Sequence, residues 1–227
     1  MEKKFQNARS PQRQLEKSLH GGLARGNVGV VLAGHGVGKT AFLVSVALDE
    51  LLRGGHVLHV ALDQTVSHVR AWYDTVFDDL ASTTGLNNLA VTRSDIDRKR
   101  SIRSYPAAGF GASKLREAVK VESEAGGAPA LVVVEGWDLD ATPRDEVADL
   151  KALAGELQAE IWLSAACAGE RIAGVPPTLT RVQDLVNVIL ALEPAEGALA
   201  LRALKDHDSP DVSALRRCGC RSGAPVQ

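Results

Sequence analysis

A short glycine-rich segment of the sequence carries the residue types that bind phosphate. Three glycines precede a lysine and a threonine in the run Ala33-Gly34-His35-Gly36-Val37-Gly38-Lys39-Thr40, which continues into Ala41. Glycines let backbone N–H groups curve around a phosphate, and a helix that follows offers its positive N-terminal end. The lysine of such a run reaches the β- and γ-phosphates, and the threonine hydroxyl coordinates Mg²⁺. The spacing therefore predicts a site for a nucleotide and Mg²⁺.

The segments on both sides of this run are those that a phosphate loop requires. Val28–Ala33 is a continuous aliphatic run, which is typical of a strand buried on both faces. Ala41–Leu52 is apolar nearly all round and stops at a glycine pair, as expected of a buried helix. The motif is therefore expected between a strand and a helix, where its chemistry can work.

Strands and helices alternate along the rest of the chain. We expect further buried strands at His56–Leu62, Ala130–Val134 and Glu160–Ala165, with helices between them. Val186–Leu192 and Ala198–Leu204 flank a short segment that contains proline and glycine, which predicts a closing β-hairpin. The pattern predicts an α/β fold with a mostly parallel central sheet, helices on both faces and a C-terminal antiparallel hairpin.

Residues 82–128 are the most difficult part of the chain to interpret. Their positive charges form a cluster of Arg98, Lys99, Arg100 and Arg103. We expect an edge strand that ends at Pro106 and a helix near Ser113–Ser123. Further along, Thr142 precedes a proline and an early acid, so we expect it to cap a helix that reaches about Leu157.

Composition limits the class of protein. The chain has 227 residues, 45% of them hydrophobic and 24% charged, which is ordinary for a globular domain and excludes a disordered chain. Its formal net charge of −2 argues against a general polyanion binder. We expect a polar N-terminal extension at 1–17, one domain at 18–208 and a flexible tail at 209–227.

The N-terminal residues and the cysteines indicate the compartment. The basic N-terminus has no apolar segment behind it, and the chain has three cysteines, an odd number. No window reaches the roughly 18 uninterrupted apolar residues that a membrane span needs. We therefore expect a cytoplasmic protein without a membrane span.

Several segments together resemble the RecA superfamily of phosphate-loop ATPases, in its KaiC-like and DnaB-like branch. Leu19–Gly26 resembles the GGL..G segment that precedes the first strand in KaiC-type proteins, and Leu204–His207 is similar to the family's lysine-x-arginine ending after the hairpin. The resemblance covers about residues 18–208. It implies a single RecA-like core that forms a ring or filament of identical subunits, or that pairs with a related ATPase or regulatory protein.

The resemblance also implies roles for residues at the strand ends. Lys39 and Thr40 would hold the triphosphate and the magnesium ion. Asp63-Gln64 stands where the family has a glutamate pair that orients or activates the attacking water, and Glu135 stands where the family usually has an aspartate near the metal. Asp63 has a shorter reach than glutamate and Gln64 cannot accept a proton, so we expect weak activation of water.

The end of the hairpin departs from the family as well. Lys205 and His207 occupy the place of a basic pair that reaches the γ-phosphate of the neighbouring subunit. A histidine is charged only when it is protonated. Because a trans-acting arginine is worth about 10³–10⁵ in rate, its replacement predicts slow hydrolysis.

Three hypotheses about function remain open at this point. The first is an ATP-binding protein with slow Mg²⁺-dependent hydrolysis coupled to assembly, and the second is a nucleotide-gated regulator or scaffold with little or no hydrolysis. The third is a recombinase- or helicase-like core that acts on DNA. Its support is weak, because Trp137 is the only stacking side chain in the loops 136–142 and 168–181. No Asn-Lys-x-Asp run is present, which favours ATP over GTP.

Overall fold

The computed structural model describes most of the chain. The described residues are 19, 21–167, 172–195, 198–209 and 216–218, with the backbone alone at 195, 198 and 216–218. The predicted extension at 1–17, residues 168–171 of the second loop and most of the predicted tail at 209–227 lie outside them.

The described helices and strands mostly alternate, except that two helices follow one another at 66–99, where a second helix was not predicted, and that the last three strands are consecutive. The strands are β1 (Val28–Ala33), β2 (Val57–Leu62), β3 (Arg100–Tyr105), β4 (Leu131–Glu135), β5 (Glu160–Ala166), β6 (Val188–Ala195), β7 (Ala198–Asp206) and β8 (Arg216–Cys218). The helices are α1 (Lys39–Leu52), α2 (Val66–Thr84), α3 (Leu89–Lys99), α4 (Ala112–Ala125), α5 (Arg144–Leu157) and the short α6 (Pro177–Thr180). None of the described helices has both the length and the hydropathy that crossing a membrane requires.

The described strands form one sheet in the order β3-β2-β4-β5-β1-β6-β7-β8. Strands β3 through β6 of this order pair in parallel, whereas β7 is antiparallel to β6 and to β8. The predicted α/β class, mostly parallel sheet and C-terminal hairpin are confirmed. Strand β5 lies between β1 and β4, so any contact between the carboxyl ends of β1 and β4 must pass over the end of β5.

Two hydrophobic cores lie on opposite faces of the sheet. Side chains alternate along a strand, so Val31 of β1 belongs to one core while Val30 and Leu32 belong to the other. The first core contains the apolar faces of α1, α2 and α3, and the second contains those of α4 and α5. The predicted burial of the central strands on both faces follows from this packing.

Two local expectations need correction. Pro143, not Thr142, is the N-cap residue of α5, and no side chain caps this helix. The Thr142 hydroxyl instead accepts a hydrogen bond from Trp137 Nε1 at 2.8 Å and donates one to the carbonyl of Asp138, so it closes the preceding loop. The short strand β8, in the segment predicted to be a flexible tail, pairs with β7 and was not expected.

The close approach of a tryptophan to β1 leads to a prediction about stability. Replacing Gly29 with alanine is expected to lower the free energy of unfolding by about 1–3 kcal/mol through overpacking. A Cβ atom at Gly29 would stand 2.6 Å from the ring of Trp162, which is fully buried on the paired strand β5. Gly155→Ala is the control, because Gly155 is exposed in α5 with nothing within 4 Å of a Cβ.

The control is expected to change stability in the opposite direction. Alanine is favoured over glycine in a helix by up to about 1 kcal/mol. Urea unfolding of wild type and of both variants measures the two effects. Equal stability of Gly29→Ala and wild type would contradict the packing of Trp162 on Gly29.

Candidate functional site

The predicted phosphate loop forms a tight turn between β1 and α1. Gly36 and Gly38 have φ values of 73° and 112°, in the left-handed region that glycine adopts without strain. Helix α1 begins at Lys39, immediately after Gly38. A Cβ atom at Gly38 would stand 2.9 Å from Cδ1 of Leu199, whereas one at Gly36 would meet nothing within 4 Å. The loop therefore has an open side at Gly36.

The lysine of the loop is held over the end of β1. Lys39 Nζ donates hydrogen bonds to the carbonyls of Ala33 and Gly34, each at 3.0 Å. Burial lowers the pKa of Lys39 from its ordinary value, and the negative charge of nearby Glu135 opposes that shift. The ammonium group is thus a partly desolvated cation whose only hydrogen-bond acceptors among the described residues are neutral carbonyls.

The threonine of the loop is joined to the acid at the end of β4. Thr40 Oγ1 donates a hydrogen bond of 2.6 Å to Glu135 Oε2, across the end of β5. Glu135 is 3% exposed. Gly136 has a φ of 85°, and a Cβ atom there would stand 3.0 Å from the carbonyl oxygen of Leu62, so the glycine lets the chain turn closely beside β2.

A pocket of about 480 Å³ opens beside these residues at the carboxyl ends of the strands. Its lining residues from the phosphate loop are His35, Gly36, Gly38, Lys39 and Thr40. The rest of the lining comes from the ends of β2, β4 and β5, and from α2: Gln64, Trp72, Glu135, Gly136, Trp137, Asp138, Leu139, Asp140, Ser164, Ala165 and Ala166. The small side chains at the end of β5 leave the space through which Thr40 reaches Glu135.

Three predicted loop residues contribute to the loop without lining the pocket. Gly34 supplies one of the carbonyls that hold the lysine. Val37 packs against the first hydrophobic core, and Ala41 is buried at the start of α1. The structure therefore brings the whole predicted loop together, with His35 exposed at its tip.

The structure does not bring Asp63 to the pocket. Its backbone has a φ of 54°, and its Oδ1 accepts a hydrogen bond of 3.0 Å from the N–H of Ala107, beyond the edge strand β3. Asp63 also donates its own N–H to the carbonyl of Tyr105 at 2.9 Å. The side chain from this strand end that lines the pocket is Gln64.

Lys205 and His207 lie at the opposite end of the sheet from the phosphate loop. Lys205 is paired with Ile189 near the start of β6, which runs parallel to β1. Its Nζ donates to the carbonyls of Gln183 and Val186, and burial lowers its pKa. A hydrogen bond of 3.0 Å joins His207 Nε2 to the carbonyl of Gly22. Neither side chain can reach the phosphate loop of its own chain.

Two features that could suggest a nucleic-acid site, the basic cluster at 98–103 and Trp137, make contacts within the described part of the chain. Each member of the basic cluster has a partner: Arg98 with Asp95, Lys99 with the Gly54 carbonyl, Arg100 with Asp97, and Arg103 with Glu122. Trp137 is 6% exposed and donates its indole N–H to Thr142, so its ring is not presented for stacking on a base. Asp138 accepts two backbone N–H bonds of its own loop.

Three residues that the structure places at or beside the pocket were not predicted from the sequence: His59, Trp72 and Ser164. His59 and Ser164 are buried polar residues in the middle of strands whose neighbouring residues are apolar. A buried polar side chain needs a hydrogen-bond partner, so its presence in such a strand is the signal that could have identified it. Ser164 accepts a hydrogen bond of 3.2 Å from the N–H of Gly136.

The side chains of the site are of the types that could bind an anion next to a metal cation with oxygen ligands. Lys39 and the N-terminal end of α1 favour negative charge, while Thr40 and Glu135 offer the hard oxygen atoms that Mg²⁺ prefers. Among the described residues, no group of three or more histidines, cysteines or acids could hold a metal without further ligands. In sequence comparisons, no family model and no curated protein matches this chain.

Proposed function

We propose that the chain is an ATP-binding protein with slow Mg²⁺-dependent hydrolysis, built on a RecA-like core of the KaiC-like branch. The observation that carries the proposal is the 2.6 Å hydrogen bond from Thr40 to Glu135 beside the half-buried ammonium of Lys39. This bond links the phosphate loop to an acid on a strand that does not neighbour β1. A Mg²⁺–triphosphate needs such a lysine, hydroxyl and carboxylate within one site.

The order of the elements also supports the proposal. The phosphate loop, β2, β4, β5 and the closing hairpin follow one another as the resemblance to RecA-like proteins requires. In open α/β sheets, ligands bind in the crevice outside the carboxyl ends of the parallel strands. The pocket lies at this edge, between the loop and the ends of β2, β4 and β5.

Lys39 and the backbone of the loop would bind the phosphates. The ammonium group can exchange its two carbonyl acceptors for charged phosphate oxygens, which accept stronger hydrogen bonds. The open side at Gly36 lets a phosphate approach the backbone N–H groups directly. An anion in the pocket would also stabilise the charged form of Lys39, which burial disfavours.

The donor atoms beside the loop fit Mg²⁺. At nucleotide sites this ion takes one or two protein oxygen ligands and completes its octahedron with phosphate oxygens and waters. We expect Thr40 Oγ1 to ligate the metal. We expect Glu135 to hydrogen-bond to the waters of the metal while it still accepts the hydrogen bond from the Thr40 hydroxyl. The bound metal supplies neutralisation of the charge that develops on the phosphate oxygens.

Gln64 is the residue that we assign to orienting the attacking water. Gln64 lines the pocket, and a glutamine amide can both donate and accept hydrogen bonds. It cannot take the proton of the water, and Asp63 points its carboxylate at Ala107 instead. Positioning without a general base is consistent with slow turnover.

Two substitutions at this strand end test the assignment of the water. Asp63→Asn keeps the oxygen that accepts from Ala107, so we expect the hydrolysis rate to stay within about twofold of wild type. Gln64→Ala removes the pocket amide, and we expect a loss of about tenfold or more in kcat with unchanged ATP affinity. Single-turnover hydrolysis measures both. A larger loss in Asp63→Asn than in Gln64→Ala would contradict the assignment.

A second candidate function is favoured by the contacts of Lys205. This residue is committed to two carbonyls of its own chain, and His207 to a third, so neither is poised to complete a neighbour's site. If these contacts persist in an assembly, ATP would change the oligomeric state or the affinity for a partner with little turnover. The protein would then be a nucleotide-gated regulator or scaffold.

Phosphate release measured over a range of protein concentrations tests the proposal and separates the two candidates. We expect Mg²⁺-dependent release whose specific rate rises with concentration, as hydrolysis coupled to assembly into a ring or filament requires. Lys39→Ala is the control, and we expect this variant to release no phosphate. Saturable ATP binding with no phosphate release at any concentration would support the regulator instead.

A further inference from the structure

A buried histidine lies directly behind the acid of the proposed site. His59 occupies the middle of β2, and its side chain is fully buried on the face of the sheet that α2 covers. Such a group is costly to bury without hydrogen bonds on both ring nitrogens. The role of His59 therefore depends on the two atoms that face its ring nitrogens.

Each ring nitrogen of His59 faces one buried oxygen. Nδ1 lies 3.2 Å from the hydroxyl oxygen of Tyr73 in α2, and Nε2 lies 3.2 Å from Oε1 of Glu135. The second pair is within ion-pair distance but misses hydrogen-bond alignment, and neither atom hydrogen-bonds to any other described atom. Since the two atoms lie 3.2 Å apart and neither has another hydrogen-bond partner among the described residues, each is positioned to serve the other. The opposite oxygen of the carboxylate, Oε2, accepts from Thr40.

The network assigns the direction of these hydrogen bonds. Burial raises the pKa of Tyr73 far above its ordinary value, an effect that the charge of Arg100 opposes, so the hydroxyl keeps its proton. Among the described residues, Nδ1 of His59 is the hydrogen-bond partner of that hydroxyl. When Tyr73 donates to Nδ1, the proton of the neutral imidazole lies on Nε2 and points at Glu135. The other tautomer would place a lone pair against the carboxylate.

We propose that His59 is a positioning residue that fixes the carboxylate of Glu135, with Tyr73 fixing His59 in turn. Glutamate has one more rotatable bond than aspartate, so its carboxylate needs a second anchor to stay in one orientation. A donor on Oε1 supplies that anchor and leaves Oε2 directed at Thr40. The inference rests on the proposed function, because the carboxylate that is positioned belongs to the Mg²⁺–nucleotide site. Partners of this kind, behind the groups that hold a metal, typically change metal affinity or activity by 10–100-fold.

The test is the Mg²⁺-dependent gain in nucleotide affinity. Adenylyl imidodiphosphate, an ATP analogue that is not hydrolysed, is titrated calorimetrically into the full chain with Mg²⁺ and again with EDTA. For His59→Leu we expect the gain due to Mg²⁺ to fall by about 10–100-fold, with the affinity in EDTA unchanged. His59→Gln is the matched variant, because its amide can reach Glu135 in place of Nε2–H, and we expect it to restore most of the gain.

The outcomes separate this inference from the proposed function. Absence of Mg²⁺-dependent binding in wild type would overturn the proposed function and the inference with it. If Mg²⁺ raises the nucleotide affinity of His59→Leu as much as that of wild type, the inference alone is overturned. The same holds if the substitution lowers the nucleotide affinity equally with Mg²⁺ and with EDTA. If His59→Leu does not fold, as judged by circular dichroism, Tyr73→Phe replaces it, since that variant removes only the hydroxyl that orients His59. If Mg²⁺ then raises the nucleotide affinity of Tyr73→Phe as much as that of wild type, the inference is overturned. A smaller rise, with the affinity in EDTA unchanged, would support it.

Discussion

Replacing Lys39 with methionine is expected to weaken ATP binding by about 100-fold or more, because two charge-assisted hydrogen bonds to phosphate are worth at least about 1.5 kcal/mol each. In the structure the ammonium donates two hydrogen bonds of 3.0 Å to carbonyls at the end of β1. Methionine keeps an unbranched side chain, one atom shorter than that of lysine, and removes both donors and the charge. Calorimetric titration with ATP and Mg²⁺ measures the change.

The control for this prediction is a lysine with the same charge at a different place. Lys120 is exposed on α4, outside the pocket, so Lys120→Met changes the net charge equally. We expect wild-type affinity in that variant. A Lys39→Met protein that remains folded and binds ATP as tightly as wild type would show that the loop does not hold the phosphates.

Replacing Glu135 with glutamine is expected to separate nucleotide binding from its dependence on Mg²⁺. Glutamine keeps an oxygen that can accept from Thr40, but it removes the negative charge from the metal's surroundings. We expect the Mg²⁺-dependent affinity and the hydrolysis rate to fall by about 10–100-fold. In EDTA we expect ATP to bind slightly more tightly than in wild type, because a negative charge next to the phosphates has been removed.

This opposite change in EDTA distinguishes an electrostatic role from general damage to the fold. Glu124 is exposed on α4, so Glu124→Gln is the control and should leave both affinities at the wild-type level. A weaker affinity of Glu135→Gln in EDTA, or an unchanged dependence on Mg²⁺, would remove Glu135 from the proposed metal site.

The fold could be predicted where the sequence pattern is strong. Val28–Ala33 and Ala130–Val134 are apolar runs too short for helices, and a strand buried on both faces is what such runs form. The capping of α5 was predicted wrongly because the hydroxyl of Thr142 had two stronger partners within its own loop. Strand β8 was not predicted because three residues in a polar segment give no periodic signal.

The candidate site was predictable only in part, for reasons of geometry. The phosphate loop is local in sequence, so its residues could be predicted from spacing. Glu135 was expected near the loop only because of the family resemblance, and in the structure it accepts a hydrogen bond from Thr40. The left-handed φ of Asp63 turns its side chain away and brings Gln64 into the pocket, and no pattern in the sequence predicts that rotation. The contact between His59 and Glu135 depends on the order and register of β2 and β4, which the sequence does not specify.

The positions of Lys205 and His207 indicate which contacts would have to change if the protein assembles. Both lie at the amino ends of the parallel strands, so in the proposed assembly they could act only on the pocket of another subunit. Reaching it would require Lys205 to give up hydrogen bonds to Gln183 and Val186. Slow hydrolysis that rises with protein concentration is the kinetic consequence of such an exchange.

Calorimetric titration of wild-type protein with ATP and Mg²⁺ tests the central claim most directly. We expect saturable binding of one ATP for each chain at the loop between β1 and α1, with lower affinity when EDTA removes the metal. Folded protein that gives no saturable binding of ATP, with or without Mg²⁺, would contradict the account.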